Sequence, residues 1–289
     1  AIGMLQEAQQ VLNASLSESW MIGDSTADLL TAKRAGVRSV LVETGNAGLD
    51  GKYPALPDYI APNLPMAVRF ILEGHSQMLS YCEKIIAPIV LGELIFLGGL
   101  ARSGKSTLAS CLKEALQNKG IGSVILSADG WLKPVAQRGK TVLERYDLPA
   151  LRKVLEQLAT RHQEVMLEQP VYNKLAQRAD GLIQTFIKPS DVVIVDGTIA
   201  LHLAQEMAIE KMHRWYVQLD ESLRRSRFLA QYALRGKSPQ EAKAIYDSRQ
   251  QDEDLLLEAI KNEAHLVLEP PFCFSLTPLT PESSLSKEA

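Results

Sequence analysis

The stretch Leu94-Ile95-Phe96-Leu97-Gly98-Gly99-Leu100-Ala101-Arg102-Ser103-Gly104-Lys105-Ser106-Thr107 sets a short apolar run directly before the pattern G-x-x-x-x-G-K-S. That pattern is the sequence form of a loop that cradles phosphate. Glycine at 99 and 104 lets the backbone turn its N–H groups inward around phosphate oxygens, which side chains there would obstruct. Lys105 supplies a cation for the β and γ oxygens, and Ser106 offers its hydroxyl to Mg²⁺. Leu108, Cys111, Leu112 and Leu116 follow at helical spacing, so the phosphates would sit at a helix N-terminus. The expectation is a nucleoside triphosphate, ATP with Mg²⁺, held by Gly99, Arg102, Ser103, Gly104, Lys105, Ser106 and Thr107.

Outward from this loop, β-like runs alternate with helical stretches: Leu94 to Leu97, Ser123 to Ser127, Val192 to Val195, Trp215 to Leu219 and His265 to Leu268. Five such runs predict an α/β fold, a five-stranded parallel sheet with helices on both faces. Ser238-Pro239-Gln240-Glu241 reads as an N-cap, a proline in the first turn and a reaching glutamate, opening a long helix toward Glu263. Before the loop, Ser19 to Val42 reads as strand, loop, helix, strand, with Gly36 ending the helix. A closing helix is expected from Pro65 to Glu73. These patterns divide the chain into a partial α/β domain over 1–75, a connector over 76–91, a phosphate-loop domain over 92–270 and a poorly ordered tail over 271–289.

The 289 residues are 46% hydrophobic, enough for two cores, and carry a net charge of -3. A general nucleic-acid scaffold usually has a basic surplus, so nucleic acid is an unexpected partner and a small molecule an expected one. Cys82, Cys111 and Cys273 form no metal-like pair or disulfide framework, which suits a reducing cytosol and a cytoplasmic protein. No apolar run reaches membrane-spanning length. The chain begins with Ala1, as a fragment or processed product would.

Phosphoryl transfer needs the phosphates held, the metal placed and the acceptor oxygen aligned. Asp196 ends the run Asp191-Val192-Val193-Ile194-Val195-Asp196 and delivers a carboxylate where a second Mg²⁺ contact belongs. Its plain alternative is an Asp capping the next turn. Asp129 follows the strand Ser123 to Ser127, at the edge where open parallel sheets bind ligands, and is the candidate base for a substrate hydroxyl; an Asp-Gly turn is the alternative there. Arg224, Arg225 and Arg227 follow Asp220-Glu221, with Arg235 and Lys237 beyond, and could close over the triphosphate. Arg227 is the one expected to act on the transferring group.

The order of these parts resembles the uridine kinase and phosphoribulokinase group of P-loop kinases, over roughly Gly92 to Glu269. The resemblance rests on the loop Gly99 to Ser106, Ser127-Ala128-Asp129, Tyr146-Asp147-Leu148-Pro149, Pro170-Val171-Tyr172-Asn173, Val195-Asp196-Gly197 and the arginines after Asp220. It implies that Asp129 is the catalytic base and that Tyr172, with Arg178, helps hold the acceptor. The group usually has Phe-Asp-His-Pro where this chain has Tyr146 to Pro149, and Asp in place of Asn173. A histidine of pyrimidine-nucleoside kinases aligns near Gln177, and a tyrosine near Leu132 is missing. A small hydroxylated metabolite is implied as acceptor; uridine or cytidine specifically is not.

Upstream, Gly23-Asp24-Ser25-Thr26-Ala27-Asp28 ends a strand and opens a helix with two carboxylates in reach of Mg²⁺; two acids stabilising a helix N-terminus is the alternative. With Pro57-Asp58-Tyr59-Ile60-Ala61 and Leu64 to Leu72, the run Trp20 to Gly45 resembles the closing half of a haloacid-dehalogenase (HAD) phosphatase of the heptose-bisphosphate or histidinol-phosphate type. The resemblance implies Asp24 and Asp28 as metal ligands. The nucleophile motif D-x-D is absent before Trp20, so phosphatase chemistry is not expected of the chain as given. A half domain would leave apolar surface and sheet edges for a missing N-terminal segment or a second copy. Two other functions fit the same parts: a polynucleotide 5′-kinase/3′-phosphatase, against which the acidic balance counts, and an ATP-binding regulatory module without turnover.

Overall fold

The computed structural model describes residues 2–173, 176–207, 209, 211–234 and 236–272. Arg235, Cys273 and all but the first two residues of the expected tail lie outside them.

The N-terminal unit opens with helix α1 (Gly3–Leu12), then β1 (Trp20–Gly23), α2 (Thr26–Ala35), β2 (Arg38–Val42) and β3 (Tyr59–Ala61). Its three strands are parallel in the order β1-β2-β3. The strand, loop, helix, strand reading of Ser19 to Val42 is what forms. Ser25 caps α2 in a reciprocal capping box with Asp28, and Gly36 ends it at φ +68°, a conformation that a side chain would strain.

Asn63 caps α3 (Leu64–Arg69), which runs through a π-turn at Phe70–Gly74 into α4 (His75–Ile85). The helix expected to close at Glu73 therefore continues to Ile85, through much of the expected connector. The reason is a buried stripe every fourth residue: Phe70, Gly74, Met78, Cys82 and Ile86 all face inward. Gly74 is needed there because a Cβ would stand 2.5 Å from the ring of Phe272.

The second unit holds β4 (Leu94–Gly98), α5 (Lys105–Asn118), β5 (Ser123–Ser127), α6 (Leu148–Ala159), β6 (Val165–Asn173), β7 (Arg178–Ile187), β8 (Val192–Asp196), α7 (Ala200–Glu206), β9 (Met212–Val217), α8 (Glu221–Leu234), α9 (Pro239–Lys261) and β10 (Leu266–Leu268). The five expected strands form one parallel sheet in the order β10-β9-β4-β8-β5. β4 and β8 are buried along their whole length, which is why their sequences are continuously apolar. Ser238 opens α9 with the expected capping box. The antiparallel hairpin β6–β7 was not among the expected strands, although Leu167, Gln169 and Val171 are buried in alternation with exposed Met166 and Glu168.

The two units share a core. Val40, Tyr59, Phe70, Met78 and Cys82 pack with Leu108, Cys111, Leu112, Ile194 and Trp215 in one buried cluster on the α5 face of the larger sheet. Each large apolar side chain buried this way contributes about 1.5–3 kcal/mol, against about 1 kcal/mol or less for an exposed ion pair, so apolar burial is the main tie. A polar seam fixes the register: Glu114 of α5 accepts from Arg38 at 2.7 Å and from the Tyr59 hydroxyl at 3.2 Å, and lies 2.9 Å from His75 Nε2. Burial works to raise the Glu114 pKa, but the hydrogen bonds and charges of His75 and Arg38 prevail and hold it at about 2. Much of the apolar surface expected to await a missing partner is thus covered within the chain. Met4, Val11 and Leu12 on α1 remain exposed.

Candidate active site

The phosphate loop joins β4 to α5. Gly99 sits at φ +144° and a Cβ there would stand 2.5 Å from the Val217 carbonyl oxygen; Gly104 sits at φ +98°. Arg102 also has a positive φ, +70°, a non-glycine residue held in the left-handed region. Such strain concentrates at ligand-binding turns.

Lys105, the first residue of α5, is buried and donates to the Leu100 carbonyl at 2.8 Å across the loop. Burial pushes its pKa down, opposed by the charges of Asp196, Glu253 and Asp129. Ser106 donates its hydroxyl to Asp196 Oδ2 at 2.7 Å. The parallel register sets Asp196 beside Leu97 of β4 on one side and Ser127 of β5 on the other. Asp196 is buried, which pushes its pKa up, and its Oδ1 has no hydrogen-bond partner among the described residues. An orphaned buried carboxylate oxygen is costly, so the pair Ser106 and Asp196 fits a divalent cation by its own chemistry. Ser103 Oγ is likewise buried without a partner among the described residues, inside the loop.

Asp129 lies in a single 3₁₀ turn, Ala128–Trp131, directly after β5. The Tyr146 hydroxyl donates to its Oδ1 at 3.1 Å. Burial, and then the nearby Asp129 charge, push the Tyr146 pKa far up, so this phenol stays a donor. The next residue, Asp147, is the N-cap of α6, with Pro149 in the first turn. Tyr172, on β6, accepts from Arg138 Nη2 at 2.8 Å, with the guanidinium over its ring at 5.5 Å.

Of the arginines after Asp220, Arg227 reaches the loop, donating to the Arg102 carbonyl at 3.2 Å. Arg224 is buried against Glu221 and the Tyr246 hydroxyl instead, holding α8 to α9. From α9, Glu253 accepts from the Ala101 N–H at 3.2 Å.

These groups line one cleft of about 890 Å³, whose walls include Lys105, Ser106, Asp129, Tyr172, Asp196 and Arg227. That volume is in the range of a nucleotide-sized ligand site. Arg178 is not brought to it: the residue is exposed at the start of β7, opposite Asn173, and Arg138 stands beside Tyr172 in its stead. Sequence reasoning missed Arg138, Glu253 and Glu43, and it gave Tyr146 only as part of a motif, without its bond to Asp129. The apolar patterns around them carry no trace of the long-range contacts that bring them in.

The carboxylates of the N-terminal unit are engaged locally. Asp28 accepts from the Ser25 N–H at 3.0 Å and from its hydroxyl at 2.7 Å. Asp24 accepts from the Asn46 backbone and side chain at 2.7 and 3.1 Å. Among the described residues no group of three or more His, Cys, Asp or Glu gathers as a metal site. Asp28 thus makes the contacts of the helix-capping alternative.

Residues 1–67 match the HAD-hydrolase-like family model. A D-glycero-D-manno-heptose-1,7-bisphosphate 7-phosphatase of Thermosynechococcus vestitus is 41% identical over 73 residues, 24% of this chain and 37% of that protein. A D-glycero-beta-D-manno-heptose-1,7-bisphosphate 7-phosphatase of Haemophilus ducreyi is 50% identical over 46 residues, 16% of this chain and 25% of its own length. The chain thus spans well under half of the phosphatases it matches. A solved structure provisionally named a fructose transport system kinase, from Silicibacter sp. TM1040, overlays 66% of this chain and 98% of its own at a TM-score of 0.51 and 20% identity. The first 67 residues thus match a HAD-like family model, and the larger part of the chain shares the fold of that solved structure. A structure provisionally named a uridine kinase, from Bacillus stearothermophilus, covers 68% of this chain with a TM-score of 0.47 and 20% identity. The α/β fold with a five-stranded parallel sheet expected around the Gly99 to Ser106 loop is the one that forms. No helix among the described residues is long and apolar enough to cross a membrane.

Proposed function

We propose that this protein transfers the γ-phosphoryl group of ATP to a hydroxyl of a small sugar-like or nucleoside-like metabolite. The observation that carries the reading is the meeting of Lys105, the Ser106–Asp196 pair with its orphaned oxygen, and Asp129 at one sheet edge. The loop N–H groups and Lys105 hold the phosphates. Ser106 and Asp196 would hold Mg²⁺, which when bound neutralises charge on the β and γ oxygens. The acceptor oxygen forms a bond to the γ-phosphorus as the bond to the bridging oxygen breaks. ADP leaves with that electron pair, and the acceptor proton passes to the Asp129 carboxylate. Tyr146 fixes that carboxylate through one oxygen, leaving the other for the acceptor. Arg227 stands at the loop, where a cation offsets the charge of the transferring group. Tyr172 and Arg138 face the acceptor.

We read the N-terminal unit as part of a HAD-type phosphatase retained in a fusion, with Asp24 and Asp28 at the positions of that family's metal ligands. The capping box of Asp28 and the bonds from Asn46 to Asp24 support a structural role for both in this chain.

The test is ADP release with Mg²⁺-ATP against nucleosides, sugars, sugar phosphates and a 5′-hydroxyl oligonucleotide, with the native sequence and Asp129→Asn. The reading predicts release dependent on one small acceptor, reduced by about 100-fold or more in the variant with ATP affinity kept. Release with the oligonucleotide alone would assign a polynucleotide kinase. Tight ATP binding with no acceptor-dependent release would assign a regulatory module.

A further inference from the structure

The carboxyl ends of both parallel sheets open on the same cleft. β4, β5 and β8 deliver the phosphate loop, Asp129 and Asp196; β2 and β3 of the N-terminal unit end at Val42 and Ala61 and deliver Glu43, Ile60 and Pro62. Those three residues and Leu49 line the cavity beside Arg102 and Thr107. Helix α5 explains their position. Ser110 donates its hydroxyl to the Asp58 carbonyl and Glu114 accepts from Tyr59, so the face of α5 bearing residues 110, 111 and 114 is turned toward β3. Thr107 lies on the same stripe, one turn closer to the loop. Ser106 turns the other way, toward Asp196 on β8.

On the kinase reading, the transferring phosphoryl group lies between Lys105, Asp196 and Asp129. The rest of the nucleotide must then leave the loop on the side away from Asp129, past Thr107 and Arg102. Beside Arg102 the cleft is walled by the N-terminal unit and by Phe228, Gln231 and Tyr232 of α8; on the N-terminal unit's side Leu49, Ile60 and Pro62 offer an apolar face of the kind a base or ribose packs on. Glu43 fastens this wall to the loop through Arg102 at 3.1 Å, and also accepts from Gln231 on α8. We propose that the nucleoside moiety of the triphosphate binds against Leu49, Ile60 and Pro62, so that the HAD-like unit forms one wall of the kinase's nucleotide site. The inference rests on the kinase reading of the cleft.

The test compares Mg²⁺-ATP with inorganic tripolyphosphate, which has the phosphates and no nucleoside, by calorimetry on the full chain and on Leu49→Ser and Ile60→Ser. The expected result is ATP affinity reduced five- to tenfold with tripolyphosphate affinity within twofold of native. Equal losses for both ligands, or none for either, overturn the inference. Photolabelling of the native protein with 8-azido-ATP needs no variant: label is expected in residues 44–63, and label confined to residues 218–263 overturns it. A native protein that binds neither ligand fails the kinase reading itself, whereas ATP binding with an unchanged variant profile fails only this wall.

Discussion

Two parallel sheets in this chain point their carboxyl ends at one cleft, and they use their carboxylates in opposite ways. In the larger sheet, Asp196 is buried with one oxygen unpartnered and Asp129 is steadied through a single phenol, so both keep capacity for a ligand. In the smaller sheet, Asp28 is closed on Ser25 and Asp24 on Asn46. Aspartates at or just beyond strand ends thus differ in what holds them, because the neighbouring backbone differs. An acid in the first turn of a helix satisfies otherwise orphaned N–H groups, whereas an acid one strand away from a phosphate loop faces only the cleft.

The contrast can be broken most severely at Lys105. Lys105→Ala removes the cation that three carboxylates surround, and ATP affinity is expected to fall about 100-fold or more, as loss of a buried charge partner costs about 3–5 kcal/mol. Titration calorimetry reads this directly, and retained affinity would mean that the loop does not hold the triphosphate. Tyr146→Phe is smaller: the expected loss is about tenfold in kcat, the worth of one hydrogen bond to a charged group, with KM for ATP unchanged. An equal change in both constants would give Tyr146 a role in the fold instead of at Asp129.

The seam between the two units responds to acid. The Glu114 carboxyl ionises far more readily in the folded chain than the ordinary glutamate value of 4.5, at about 2. A depressed folded pKa adds stability above the unfolded value and loses it as pH falls, so stability should decline between about pH 4.5 and 2 on this account. Glu114→Gln is expected to flatten that part of the stability profile, measured by denaturant unfolding across pH. The smallest effect belongs to the cap. Ser25→Ala is expected to lower stability by about 1 kcal/mol with phosphoryl transfer untouched; a stability change seen only with added Mg²⁺ would return Asp28 to a metal role.

The fold was legible wherever burial on both faces forces an uninterrupted apolar run, as in β4 and β8, and wherever a special backbone demands a special residue, as at Gly36, Gly99 and Gly104. The hairpin β6–β7 escaped because exposed Glu168 and Gln184 on its solvent side, and a buried polar Gln169 on the other, dilute the strand signal. The helix continuing past Glu73 escaped because its buried stripe answers to α5 and Phe272, residues far away in the chain. In the site, the meeting of the loop, Asp129 and Asp196 in one cleft was legible because their residue types and spacing can be read along the chain. Arg138 in place of Arg178, and Glu43 on Arg102, depend on how a hairpin and a second sheet dock, which no local spacing encodes.

The most direct measurement follows the γ-phosphate of [γ-³²P]ATP in the presence of the acceptor identified by ADP release. The account predicts label on the acceptor hydroxyl, abolished in Asp129→Asn and unchanged in Asp24→Asn. Label recovered only as free phosphate, or transfer lost in Asp24→Asn and kept in Asp129→Asn, would contradict it.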